Sequence, residues 1–401
     1  MAVKPKLAMI PSGVGIDTLY SVLPADGTGD FTFDRNLNTA TRINKDGLIE
    51  MVDADVPRLN YPMIDGVVSG CPSLLLEPER RNLFTYSEAI NNSSWLNSYA
   101  SISENTTISP DGTQNAETFL ITSNNGVFYK APSLSSGTTV TQSIFVKNID
   151  ADRINLEVST VSTAGLVSFF FTNSEITSFE LTNGISADFD NYGNGWYRIY
   201  LTCTTNETNQ LFKFRLNESG MSCYVWGAML EEGSFPSSYI PTTTSTATRS
   251  AETCNNAGDA NTFNDSEGVL FAEISALAND GTIREIALSN GGAANRIEIR
   301  YSGSNIQGIV RFGASVIVLT YNLADTTEFT KVALKYKSGD YSFWVNGLEL
   351  QVDTTTGTPT GLSEFAFDDG NGNDDFYGNT KQIQYFDTAL SDTDLALLTS
   401  L

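Results

Sequence analysis

With no histidine among its 401 residues, carboxylate, tyrosine or lysine chemistry is what this chain would have for an enzyme. That absence removes the commonest general base, the usual member of a hydrolytic triad and the most frequent zinc ligand. What remains suits the recognition of polyols. A ring offers a flat platform to the apolar face of a pyranose, and neighbouring carboxylates, amides or arginines bond its hydroxyls. Trp196, Arg198 and Tyr200 alternate along one stretch, so they share one strand face while Tyr197, Ile199 and Leu201 share the other. Tyr224 and Trp226 are spaced in the same way. Presented outward, these residues form a glycan platform; the competing reading buries them between sheets or against a neighbouring domain. Trp344 alternates with Phe343 and Val345 and points outward if those two fill a core.

Asp368, Asp369, Asn371, Asn373, Asp374 and Asp375 crowd oxygen atoms onto a glycine-rich backbone, which is what a Ca²⁺ ion with about six to eight oxygen ligands requires. The spacing departs from an EF-hand, with Asp374 where glycine belongs and Thr380 where glutamate belongs. A solvated acidic hairpin loop is the alternative. Carboxylate pairs can hydrolyse glycosides, but with 47 acidic residues some pairing is unavoidable and marks nothing by itself. Arg80 and Arg81 beside Glu77 and Glu79 read as a local ion-pair group, or as a grip on an acidic neighbour.

With 23 basic residues against 47 acidic ones the formal charge is −24, which repels phosphate backbones and anionic lipid heads. Nucleic acid and membrane are therefore not expected partners. No apolar run is long enough to cross a bilayer, and the first residues have too short an apolar core for a signal peptide, so synthesis in the cytoplasm is expected. Four cysteines without a Cys-x-x-Cys pair are too sparse for a disulfide scaffold. Reduced thiols are expected, with a bridge between Cys203 and Cys223 open if neighbouring strands carry them.

These side chains must be positioned by strands. Hydrophobic residues make up 40% of the chain, with 23 Phe and 16 Tyr to fill cores between half-buried sheets. Six segments between residues 95 and 240, from Gln142–Lys147 to Cys223–Leu230, alternate apolar and polar residues and are separated by turns such as Asn183-Gly184 and Asn194-Gly195. A second set runs from Leu270–Ile274 to Lys381–Phe386. Within it Asn346-Gly347 is the strongest hairpin signal, because a type I′ turn needs positive φ at both positions. The spacing predicts an all-β chain of two antiparallel β-sandwich (jelly-roll) domains behind an extended, loop-rich N-terminal segment. Its divisions fall at residues 1–90, 91–240, a linker at 241–254 rich in threonine, and 255–401. One short helix is expected near the end, capped by Ser391, with Leu395, Leu397 and Leu398 on its apolar side.

Four blocks, taken in order, resemble head-fibre or spike proteins and related tail-fibre proteins of tailed bacteriophages. They are Ala40 to Glu50, Pro57 to Tyr61, Cys71 to Leu83 (Cys-Pro-Ser-Leu-Leu-Leu-Glu-Pro-Glu-Arg-Arg-Asn-Leu), and Tyr224 to Thr242. The resemblance implies a carbohydrate-binding-like jelly roll in the middle, where Gly193-Asn-Gly-Trp-Tyr-Arg-Ile199 precedes a core strand. The last third is similar in texture to concanavalin A-like or laminin-G-like sandwiches. Neither likeness brings a catalytic motif.

The expectation is thus a non-enzymatic virion structural protein on the particle surface, a head fibre or capsid decoration protein that adheres to host or environmental glycans. Residues 1–90 would attach it to capsid or tail proteins, and copies of itself would form a dimer or trimer. A tail fibre, a glycan depolymerase with paired carboxylates, and a decoration protein without a ligand are the alternatives.

Overall fold

The computed structural model describes residues 4–11 and 31–401. Among these the chain is almost wholly β, in layered antiparallel sheets, with a single helix at Asp392–Thr399.

The first sandwich packs two six-stranded sheets. One runs, in spatial order, Leu96–Ser98, Val127–Lys130, Leu211–Leu216, Arg153–Ser159, Thr163–Thr172, Glu175–Asn183. The other runs Ala100–Thr107, Ala116–Ile121, Ser222–Glu232, Thr139–Asn148, Trp196–Thr204, Ser186–Gly193. Alternation decides what lies between them. In Leu211–Leu216, Phe212, Phe214 and Leu216 are buried in the core, while Lys213 and Arg215 turn away to meet Glu157 at 3.0 and 2.5 Å. In Trp196–Thr204 the inward set is Tyr197, Ile199, Leu201 and Cys203, so Trp196, Arg198 and Tyr200 face outward from the sandwich.

The second sandwich sets an eight-stranded sheet against a five-stranded one across its own apolar core. The five-stranded sheet runs Ser315–Asn322, Asn305–Phe312, Asn295–Ser302, Arg284–Ser289, Glu364–Ala366. Asn346 and Gly347 have φ of 49° and 86°, the turn geometry that their sequence demands.

The eight-stranded sheet is not made from the last third alone. Leu7–Met9 and Ser73–Leu76 both pair with Gly378–Phe386, and Arg58–Asn60 continues the sheet beyond Ser73–Leu76. Leu7, Met9, Leu74 and Leu76 enter the second core. Much of the segment expected to serve for attachment is built into the chain's own domains. The threonine-rich stretch expected as a linker is paired in the same way. Ala247–Arg249 pairs with Arg80–Asn82, Thr253–Asn255 pairs with Thr32–Asp34, and Thr242, Arg249 and Glu252 are buried. A stretch poor in apolar residues is held here by backbone pairing and ion pairs rather than by a core.

Ser391 caps the helix by accepting the Asp394 amide at 3.2 Å. Leu395 is buried and Leu398 packs beside it, whereas Leu397 stands 73% exposed, a correction to the expected apolar side. The helix covers Trp344 together with Val269, Phe271 and Phe386. Replacing Leu395 by Ala should cost about 2–4 kcal/mol through the cavity it leaves. Loss of the cover over Trp344 should appear as a red shift in tryptophan emission.

All four cysteines are free. Cys203 pairs across Thr139–Asn148 with Val140, and Cys223 with Asn148, at the two ends of that strand. A separation of roughly 26 Å at strand rise forbids a bridge.

Candidate functional site

The outward face of the sheet that holds Trp196 is where the N-terminal segment meets the first sandwich, and it is mostly covered. Trp196, Phe145, Trp226 and Met229 pack under Ile49, Tyr239 and Ile240. Trp196 is 3% exposed, with its indole N–H donating to the Ile108 carbonyl at 3.0 Å, and Trp226 is 1% exposed, 4.8 Å from the Tyr239 ring. Arg198 is buried and donates to the Ser237 carbonyl at 2.7 Å and to Ser143 Oγ at 3.0 Å. Trp344 is buried as well. The shared strand faces follow the alternation, but the expected exposure is corrected. A second apolar layer, supplied by residues far away in sequence, seals these rings, and a sealed ring presents no face to a sugar. Tyr200 and Tyr224 are half-buried.

What the cover leaves open is a cleft along the edge strand Ser186–Gly193. Asp188, Asp190 and Tyr192 alternate there on the same outward face as Tyr200. Two recesses of about 350 and 360 Å³ share Ile43, Asn60, Asp190 and Tyr192. The first reaches in to Arg198 and Tyr239 and touches Asn379 of the second sandwich; the second opens past Tyr61, Met63 and Asp65. A larger groove of about 630 Å³ lies on the far side of the hairpin formed by Met63–Ile64 and Val67–Val68, and Tyr192, Trp196 and Lys147 line it. The wall between is a backbone contact. A Cβ placed on Gly193, whose φ is +76°, would sit 2.2 Å from the Gly66 carbonyl oxygen, so only glycine lets the hairpin seat.

Asp190 is exposed and lines both recesses. Its surroundings raise its carboxyl through burial, against the pull of Arg198. Burial likewise pushes the Tyr192 phenol up to about 12, so it stays a donor at neutral pH. Carboxylate, phenol, amide and guanidinium around aromatic walls form the donor and acceptor set that hydroxyl-rich ligands need. Asp188 and Asp190 are two residues apart on one strand face, a spacing of roughly 7 Å. The alternation reading passed over this strand, although turns at Asn183-Gly184 and Asn194-Gly195 bracket it and Ala187 and Phe189 alternate with the two acids.

Behind the cleft lies a buried ionic junction. Glu252 accepts from Arg35 Nη1 at 2.8 Å, from Arg58 Nε at 2.7 Å and from the Glu77 amide at 2.9 Å, and Arg58 Nη2 closes the bidentate pair. Glu77 in turn meets Arg58 at 2.7 Å and Arg249 at 3.0 Å, and accepts from Ser238 Oγ at 2.6 Å. Arg80 pairs with the Glu231 carboxylate at 3.5 Å, and of Glu79 it meets only the backbone carbonyl, at 3.1 Å. The local ion-pair group expected from sequence is thus replaced by long-range partners. Three of the four blocks singled out in the sequence supply this junction through Arg58, Glu77, Arg80, Glu231 and Ser238. The fourth roofs it, with Thr41 Oγ1 donating to the Tyr239 carbonyl at 2.6 Å.

The acidic loop is organised by protein partners. Asp368 Oδ2 accepts from Asn255 at 2.9 Å, Asp369 Oδ2 lies 3.0 Å from Arg296, and Asp375 Oδ2 accepts from the Tyr377 hydroxyl at 2.9 Å. Asp369 Oδ1 takes the Asn371 and Asn373 amides at 2.9 and 3.0 Å, and the Asp374 carbonyl takes the Glu285 amide at 2.9 Å. Among the described residues no group of three or more His, Cys, Asp or Glu is placed to hold a metal ion. The residues expected as a Ca²⁺ set thus lie in a turn whose oxygens are bonded to Asn255, Arg296, Glu285 and Tyr377 as well as to the loop's own amides.

One further acid in the same sheet as the cleft responds to pH. Glu117 is buried, accepts the Asn91 amide at 3.1 Å, and is raised to about 7 by burial, with Glu104 adding repulsion. The folded state therefore holds this proton more tightly than the unfolded chain does. Stability from this group is full below the unfolded pKa and is lost as pH climbs toward 7. Glu117→Gln should stabilise the protein by up to about 3 kcal/mol at pH 8 and by nothing at pH 4, read from urea unfolding at both pH values.

No protein-family model and no curated protein matches this chain. Among solved structures, the CBM40 module of the Ruminococcus gnavus IT-sialidase, bound to α2,3-sialyllactose, is similar over 36% of this chain and 94% of its own, at 15% identity and a TM-score of 0.31. Mouse laminin α1 domains LG4-5 are similar over 67% of this chain and 89% of theirs, at 9% identity and a TM-score of 0.25. The Trypanosoma rangeli sialidase in complex with the inhibitor DANA is similar over 71% of this chain and 60% of its own, at 11% identity and a TM-score of 0.28. The likeness extends to layered β-sheets and no further.

Proposed function

We propose that this chain is a glycan-binding structural protein displayed on the surface of a bacteriophage particle, with its ligand site in the cleft at Asp190 and Tyr192. The observation that carries the binding reading is the cleft itself. It is an aromatic-walled recess on a sheet face, carrying a carboxylate, phenols, amides and a fixed guanidinium, and it lies open beside the sealed rings of Trp196 and Trp226. The virion reading rests on the four sequence blocks in their order. The cytoplasmic site of synthesis, attachment to capsid or tail proteins and location on the particle belong to the same proposal.

A second reading is favoured by one observation. Asp188 and Asp190 stand together on one face, and the raised Asp190 carboxyl is what a general acid needs. Incubation of the purified protein with capsular or cell-wall polysaccharide of the producing host separates the two. Retention of the protein on the polysaccharide without new reducing ends is expected. Release of reducing ends that disappears in Asp190→Asn would establish a depolymerase instead.

A further inference from the structure

Every long sheet in this protein ends on a strand that another chain could extend, and nearly every such edge is guarded. Glu175–Asn183 carries two glutamates and two register shifts; Ala100–Thr107 carries Glu104 and a shift; Ser186–Gly193 carries Asp188, Asp190 and a shift. Leu348–Asp353 carries Glu349, Asp353 and a shift. Arg58–Asn60, Leu96–Ser98 and Glu364–Ala366 are only three residues long.

Ser315–Asn322 is the exception among the described edges. It is eight residues long, pairs in unbroken register with Asn305–Phe312, and contains no charge, proline or glycine in a chain of net charge −24. Ile317 and Leu319 point into the core, so Val316 and Val318 stand on the outer face at 49% and 47% exposure. The two-residue turn at Gly313 and Ala314 makes Phe312 and Ser315 a hydrogen-bonded pair. By alternation the backbone groups of Ser315, Ile317, Leu319 and Tyr321 bond inward, and those of Val316, Val318 and Thr320 point off the sheet. The Thr320 amide is taken by Gln351 Oε1 at 2.6 Å, which agrees with that phase.

We propose that this edge is a homodimer interface, in which Ser315–Asn322 pairs antiparallel with the same strand of a second copy about a two-fold axis at Ile317. Val316 of each copy then exchanges backbone hydrogen bonds with Val318 of the other, and the five-stranded sheets join into one. The partner is a second copy because a two-fold operation brings this uncharged strip against itself. That is the contact two chains of −24 can make with least repulsion at the seam. The proposal stands apart from the glycan cleft, which lies on the other sandwich.

Sedimentation velocity on the full chain at about 1 to 100 µM tests it. A species of twice the 43.5 kDa chain mass is expected. Val316→Lys with Val318→Lys should raise its dissociation constant at least about 100-fold. Val318→Pro should do the same while leaving the native ladder intact, since it removes only an N–H that faces off the sheet. Amide exchange at position 316 should be slow in the dimer and fast in both variants, and exchange at position 318 should be slow in the dimer and fast in the lysine variant. A wild-type chain that stays monomeric across this range overturns the proposal, as does an oligomer that both variants leave unchanged.

Discussion

Glu252→Ala should cost about 3–5 kcal/mol, the largest stability effect of any single polar substitution in this protein, because it strands the buried Arg35 guanidinium and takes one of two carboxylates from Arg58. Arg35 and Arg58 are fully buried, and Glu252 is the carboxylate they share. Arg58 retains Glu77, but Arg35 is left with backbone carbonyls of Val52, Asp53 and Val56. The loss should be local before it is global. Limited proteolysis should cut first near residues 31–60 and 249–255, while both sandwich cores still resist. Acid should act on the same place. Burial tends to raise Glu77, but Arg249 and Arg58 outweigh it and hold its carboxyl below the usual range. A depressed folded pKa gives stability that is complete above the unfolded value of about 4.3 and falls away as pH drops below it. Glu77→Gln should therefore flatten the acid limb of the unfolding profile while lowering stability at pH 7. An unchanged acid limb would show that the junction is not what acid releases.

The second large effect concerns binding. Asp190→Ala should lower affinity for the retained polysaccharide about 10- to 100-fold, equivalent to about 1.4–2.8 kcal/mol, the scale of a charge-assisted hydrogen bond to a hydroxyl. Tyr192→Phe, which keeps the wall and removes the donor, should cost less. Trp226→Ala is the informative contrast. Its ring is core, so the substitution should lower stability by about 3–5 kcal/mol, and binding should fall only as the fold does. Equilibrium dialysis of labelled oligosaccharide beside urea unfolding of the same samples reads both quantities. Binding abolished by Trp226→Ala in a fully folded sample, and untouched by Asp190→Ala, would move the site elsewhere.

Strand identity was legible wherever one face is wet and the other dry, as in Leu211–Leu216, and the Asn346-Gly347 turn was legible because its backbone geometry admits few residues. The face shared by Trp196, Arg198 and Tyr200 was legible too. What covers that face was not, since Ile49 and Tyr239 come from segments with no periodic signal of their own, and period two says which side a residue takes but not what lies beyond it. Glu175–Asn183 has hardly any apolar alternation to read because most of it faces water. Glu252 gave no local sign, because Arg35, Arg58 and Glu77 reach it from at least 175 residues away. The acidic run near residue 370 misled for a related reason. Composition counts oxygens, and only placement shows that Arg296, Asn255 and Tyr377 already use them.

The pairing of Leu7–Met9 with Gly378–Phe386 has a temporal meaning for a chain made from its N-terminus onward. At ribosomal speeds of about 5–20 residues per second, the earliest strand emerges roughly 20 to 75 seconds before the ladder that receives it exists. Throughout that interval Leu7 and Met9, and from their own emergence Leu74 and Leu76, lack the Gly378–Phe386 strand they pack beside, while the central sandwich can close once Ser222–Glu232 is made. Between the emergence of Glu232 and that of Gly378, a closed central sandwich therefore coexists with earlier strands whose partner is not yet made, and Gly378–Phe386 arrives as the strand that receives them.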